Sequence, residues 1–396
     1  MRTIGFWFTT ISKRTCGIDF GLAAVSAIKA SRSGTLRMFT QLSLFSLVAA
    51  FGVAAAFVWW AGIELTNATD ILAHRLGFGH AIGGMILLAI ATNLPEIAIT
   101  ASAAWRGDLG VAIGNILGGI GIQTVVLVFL DAFGGKEREP LSFQAASLVL
   151  VLEGVLVVAV LTVAIMASRL PATLIVGRLA PGDMLIAFLW VGGLWLIGRA
   201  SKGLPWHEGG NAPGAQQAPK GHSQKQKAEG VGTTIVSTTH AAIVFVLAAV
   251  ITLVCGIVLE ASGSAIASQI GMTGVLFGAT VLAAATSLPE LSTGLAAVKL
   301  GDHKLAISDI FGGNAFLPVL FLMATLISGH STLPQLQNTD LYLAGLGILL
   351  TCIYIYGLIF RPKNKVLGMG IDSFLVLVLY IIGTAGLFAI ASGHTS

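Results

Sequence analysis

A short motif appears twice in this 396-residue chain, each time within strongly apolar sequence. Ala91-Thr92-Asn93-Leu94-Pro95-Glu96 aligns with Ala285-Thr286-Ser287-Leu288-Pro289-Glu290 at a constant offset of about 194 residues. The match runs on without a gap. Gly107-Asp108 falls on Gly301-Asp302, Asn115-Ile116 on Asp309-Ile310, and Gly118-Gly119 on Gly312-Gly313, so the copies cover 83–127 and 277–321. An ionised side chain in the bilayer costs on the order of 2.5–3.5 kcal/mol even on the lenient insertion scale. Placing a glutamate after a proline twice, at equivalent positions, has no explanation in packing alone.

Composition sets the surroundings. With 55% of residues apolar, 10% charged and apolar runs of about twenty residues recurring, the chain reads as an all-α polytopic membrane protein in a lipid bilayer. Ten spans are expected near 40–63, 81–104, 110–131, 142–167, 182–198, 239–260, 274–298, 304–328, 340–360 and 371–391. Residues 199–238, rich in glycine, glutamine, lysine and proline, read as a flexible linker between a first half (38–198) and a second (239–396). Residues 1–37 contain no run long enough to span, and Met38 stands just before the first apolar run. Of a targeting extension, an amphipathic surface segment and a start codon placed too early, the last is the favoured reading, with Met38 as the expected start. Each half holds five spans with the repeat on its second and third, so equivalent helices enter the membrane from opposite sides. That is an inverted repeat, with a site expected near the midplane where the halves meet.

Basic residues give the orientation. With 1–37 and its six basic residues left out, loops on the linker side carry Arg75, Lys136, Arg138, Lys299, Lys304, Arg361, Lys363 and Lys365 besides the linker's own, against Arg106, Arg169 and Arg178 opposite. The bias predicts a cytoplasmic linker in a protein of the cell membrane, and the same rule accounts for the slightly basic balance without any nucleic-acid partner. Cys16, Cys255 and Cys352 lie far apart and suggest neither disulfides nor a zinc site.

The repeat gathers hard oxygen. Pro95 and Pro289 lack an N–H and crowd the carbonyl four residues back, freeing Ala91 and Ala285. Irregular backbone at membrane depth survives only inside protein or beside water. Thr92 and Glu96, like Thr286 and Glu290, are spaced i, i+4, which puts hydroxyl and carboxylate on one helix face. Oxygen-only sets of this kind suit sodium, calcium or magnesium, and calcium takes about six to eight oxygens. Asn115 and Asp309 are equivalent polar positions that either line the site or bond between helices. The glycine pairs either admit close helix approach or expose backbone oxygen, and Glu153 is an unrepeated carboxylate in the fourth span. No nucleophile–base pair and no two histidines at i, i+4 are present, so no enzyme and no cofactor is expected. A channel is disfavoured because the site is built within one chain.

These paired segments, each followed by a Gly-Asp loop and then by IGNILGG or ISDIFGG, resemble the two alpha repeats of the calcium/cation antiporter superfamily, which includes the sodium/calcium exchangers. The resemblance implies ten helices, alternating access, and inorganic cations as substrates, calcium against sodium or protons. It implies ion binding at Thr92, Glu96, Thr286, Ser287 and Glu290, with Asn93 where serine is usual. Three further departures stand out. Gly119 and Gly313 replace the usual serines; four places on, Gln123 keeps an amide where Leu317 does not, and Asp309 stands where asparagine is usual. The expected function is a secondary cation antiporter, with a proton-coupled exchanger or a non-transporting ion sensor as alternatives.

Overall fold

The computed structural model describes residues 42–75, 90–133, 139–145, 147–176, 179–201, 203, 237–299 and 301–393. The expected extension at 1–37, the linker from 204 to 236 and residues 81–89 of the second expected span lie outside the described residues. The elements in order are α1 (Leu44–Arg75), α2 (Leu94–Arg106), α3 (Leu109–Phe133), α4 (Leu141–Ala145), α5 (Leu148–Ala167), α6 (Pro181–Ala200) and α7 (Thr238–Ile270). They continue with α8 (Gly274–Thr286), α9 (Leu288–Lys299), α10 (His303–Ser328), α11 (Asn338–Phe360), a hairpin of β1 (Lys365–Val366) and β2 (Met369–Gly370), and α12 (Ile371–Gly393).

Among the described residues, α1, α3, α5, α6, α7, α10, α11 and α12 are each long and apolar enough to cross a membrane. A ninth crossing is made by α8 and α9 together, bent by 40° at Ser287. Shifted back by the repeat offset, α9 falls on α2, the described part of the second expected span. The chain is thus a polytopic helical protein of two inverted five-helix repeats. Its outward faces are apolar, as Phe45, Phe57, Trp60, Val246 and Val250 illustrate, while α3 and α10 are the most enclosed.

Two helices run longer than expected. α1 continues to Arg75 rather than ending near 63, and α7 to Ile270 rather than near 260. For α7 the reason is Glu260, a charge that reads as a membrane boundary but is 1% exposed. Arg106 forms an ion pair with it, and the Ser102 and Ser264 hydroxyls donate to its two oxygens at 3.0 and 3.2 Å. Satisfied in this way, the carboxylate lets the helix carry on. The pair joins α2 of the first half to α7 of the second. Removing one partner of a buried pair strands the other, so Arg106→Leu is expected to destabilise the protein by about 3–5 kcal/mol, whereas Arg106→Leu with Glu260→Leu is near neutral. Thermal unfolding in detergent checks this: equal stability of the single and double variants would refute it.

The repeat is visible in the packing. α1 and α7 lie along each other, α1 also against α9 and α7 against α2. The contacts are equivalent residue by residue. A Cβ on Gly62 would stand 2.7 Å from Pro289 Cβ, and one on Gly256, its counterpart, 2.7 Å from Ala98 Cβ and 3.2 Å from the Pro95 carbonyl. The Gly-Asp steps also match. Gly107 and Gly301 end α2 and α9 in the left-handed region, with φ of 79° and 78°. Asp108 and Asp302 then accept from the Val111 and Leu305 amides, starting α3 and α10. These acidic residues are helix caps.

Candidate functional site

The site is built on two broken helices. Asn93 and Ser287, the residues before each Leu-Pro-Glu, share one backbone geometry, φ −84°, ψ 11° and φ −81°, ψ 4°. Both lie in the sparsely populated bridge region. Proline stands in the first turn of α2 and α9, where its missing N–H costs no helical bond. Glu96 and Glu290 therefore fall in the first turns of their segments, deep within the protein and 0% exposed. A helix start, with its free amides, favours a negative charge.

The two carboxylates meet at a single side chain. Gln123 on α3 donates through Nε2 to Glu96 Oε1 and Glu290 Oε1, both at 3.3 Å, and to Asn93 Oδ1 at 3.4 Å. These are long bonds shared among three acceptors. Glu96 Oε2, Glu290 Oε2 and Gln123 Oε1 are buried and make no hydrogen bond among the described residues. These three atoms sit on side chains that share the Gln123 contacts, which leaves their oxygens able to accept further bonds.

Two of the hydroxyls reach across the repeats. The Thr92 hydroxyl, from the first copy, reaches Asp309 Oδ1 at 3.5 Å. Thr286, from the other copy, lies within hydrogen-bonding reach of Glu96, while it and Ser287 also donate to the Ala283 carbonyl at 3.1 and 2.8 Å. Asp309 is held on its other oxygen by Thr293 at 2.8 Å. The structure thus brings together Thr92, Asn93, Glu96, Gln123, Thr286, Glu290 and Asp309, with Ser287 at the break itself. Asn115 is 0% exposed, and neither end of its amide is hydrogen-bonded among the described residues.

Thr293 escaped notice in the sequence because its repeat equivalent is Ile99, so symmetry gave it no support. Leu317, the equivalent of Gln123, is 0% exposed and lies where a Cβ on Gly119 would meet its Cδ1 at 3.1 Å. Gly313 leaves room for Asn93, whose Nδ2 would be 2.7 Å from a Cβ there. Among the described residues no three His, Cys, Asp or Glu side chains converge closely enough to hold a metal ion on their own. An ion here would draw on amide, hydroxyl and carbonyl oxygen as well.

A second feature positions the site. Gly110, Gly114 and Gly118 form one edge of α3, and Gly274 and Gly278 one edge of α8. A Cβ on Gly114 would stand 2.6 Å from the Val275 carbonyl, and one on Gly118 2.2 Å from Ala279 Cα. Spacing of four between small residues lets helix backbones touch. Where they touch, α8 widens into a π-turn at Gly278–Leu282, just before the break that precedes Glu290.

Known proteins match this architecture. The fold resembles that of the H+/Ca2+ exchanger CAX, with a TM-score of 0.61 at 13% identity over 94% of this chain and 91% of that one. It resembles that of the sodium-calcium exchanger NCX_Mj at 0.53 and 19%, over 87% and 99%. In sequence it is 24% identical to the inner membrane protein YrbG of Escherichia coli, over 82% of this chain and 91% of YrbG. The family model for sodium/calcium exchanger proteins matches twice, over 46–199 and 240–389. The chain therefore belongs to the sodium/calcium exchanger protein family and is a membrane cation antiporter rather than an enzyme.

Proposed function

We propose that this protein exchanges calcium against a monovalent cation, most simply sodium, by alternating access at a midplane site held by Glu96 and Glu290. The observation that carries the reading is the set of three buried oxygens without hydrogen bonds, on Glu96, Glu290 and Gln123. One divalent cation, two monovalent cations or two protons neutralise the two carboxylates equally. The Gln123 amide donates to both when nothing lies between them, and a half-turn about its last bond presents Oε1 to a cation instead. Hydroxyls of Thr92 and Thr286 and the backbone at the two breaks supply further oxygen toward the six to eight that calcium takes. Asp309, braced by Thr92 and Thr293, adds negative charge beside Glu290.

Proton coupling is the second reading, and Leu317 favours it. An apolar side chain occupies the position equivalent to Gln123, so fewer oxygens remain for several sodium ions. Flux in proteoliposomes, with calcium, sodium, potassium and pH gradients imposed one at a time, tests both. Sodium dependence is expected to show a Hill coefficient below that of an exchanger moving three sodium ions per calcium. A value near three that survives Asp309→Asn would refute this use of Leu317, and no calcium flux under any gradient would refute the exchange reading itself.

The 199–238 linker is proposed to lie in the cytoplasm, joining the 38–198 and 239–396 halves of a cell-membrane protein. Gly214→Cys is then expected to react with an impermeant thiol reagent only after the cells are opened, and labelling of intact cells would reverse the topology.

A further inference from the structure

Glu153 belongs to no repeat: its equivalent in the second half is Gly347 on α11. It lies in the second turn of α5, 5% exposed, and the exchange site makes no use of it. Its Oε1 accepts from the Ser308 hydroxyl at 2.9 Å, while Oε2 is buried without a hydrogen bond among the described residues. The surrounding wall is apolar, since a Cβ on neighbouring Gly154 would run into Ile355 and Phe311. An ionisable residue in such a place is a functional candidate by default.

We propose that Glu153 is a proton-binding site, separate from the exchange site and linked to it through α10. The ligand follows from the donor count. A metal cation shedding its water needs several oxygens, about six to eight for calcium, and this niche offers one carboxylate and one hydroxyl. A proton needs a single oxygen. Taken up on Oε2, it cancels the charge and leaves Oε1 to keep its bond from Ser308. Ser308 is followed on α10 by Asp309, which is held by Thr92 and Thr293, so charging or discharging Glu153 acts on the helical turn that carries part of the exchange site.

At this level α10 presents Asp309, and α11 presents Cys352 and Tyr354, the latter bonded to Ser373. On α6, Asp183 is held by Thr325 near the far end of α5. His303 and Lys304 lie at the start of α10, and Asp340 at the start of α11 is held by the Gln337 amide. Ser308 alone among the described residues reaches the Glu153 carboxylate. Asp131, Glu139, Gln144 and His303 line a separate polar recess at the adjoining ends of α3, α4 and α10.

Only the link to transport rests on the exchange reading, so two measurements on the full chain separate them. Infrared difference spectra between acidic and alkaline buffer are expected to show loss of a protonated-carboxyl band that Glu153→Gln lacks. The same band in Glu153→Gln overturns the site. If that variant does not fold, Glu153→Asp is expected to shift the band, and an unshifted band counts equally against the site. In proteoliposomes Glu153→Gln, which keeps an acceptor for Ser308 but cannot change charge, is expected to transport with a flattened pH profile. A wild-type profile in this variant overturns the link to α10, whereas absence of any cation flux in the wild-type chain overturns the exchange reading and leaves the infrared result to decide the site.

Discussion

Glu96→Gln and Glu290→Gln are each expected to abolish cation exchange, lowering flux more than about a hundredfold, while the protein still folds and inserts. Outer partners of bound metal typically account for about 10–100-fold, and a carboxylate that itself faces the ion does more. The amide keeps the size of the side chain and is easier to bury than a charge, so folding is spared. Each substitution also leaves Gln123 Nε2 with one carboxylate to bond instead of two. Flux near wild type in either variant, with the protein monodisperse, would refute a midplane site at these residues.

The second large effect concerns a residue with no side chain. Gly118→Val is expected to prevent assembly, because even its Cβ would stand 2.2 Å from Ala279 Cα and 2.7 Å from the Ala279 carbonyl oxygen. Overpacking a core costs about 1–3 kcal/mol when side chains can shift. Here the obstacle is backbone within the π-turn that leads into the Glu290 segment, and it has nowhere to go. Gly119→Ala, one residue away, meets only the end of Leu317 at 3.1 Å and is expected to fold. Size-exclusion profiles of the two variants in detergent provide the measurement, and a monodisperse Gly118→Val protein would show that α3 and α8 can part.

Features that the repeat duplicates were legible in the sequence. Glu96 and Glu290, the helix breaks and the Gly-Asp turns all stood out because a constant offset paired them. Features on one side only were not. Thr293 faces Asp309, but its counterpart is Ile99. Arg106 read as a loop charge and Glu260 as the end of a span, and only the folded chain brings them together. The glycines at 110, 114, 118, 274 and 278 carry a signal in their spacing of four, in which Gly118 belongs to a Gly-Gly pair as well. The cross-repeat reach of Thr286 toward Glu96 could not be read at all, because it depends on how the two breaks interlock.

The departures from symmetry have an energetic consequence. Two halves related by an ideal two-fold axis could trade roles at no cost, and such a carrier would rest equally facing either side of the membrane. Here Gln123 answers to Leu317, Asn115 to Asp309, and Arg106 and Glu260 to Leu300 and Thr66. The ion pair ties α2 to α7 with no counterpart in the inverted position. A preference of only about 1.4 kcal/mol for one orientation sets a tenfold ratio of populations and lowers the apparent affinity on the disfavoured side accordingly. If the chain works by the alternating access proposed above, rectification, the unequal ease of working forward and in reverse, is expected to follow from the residues at which the two copies differ.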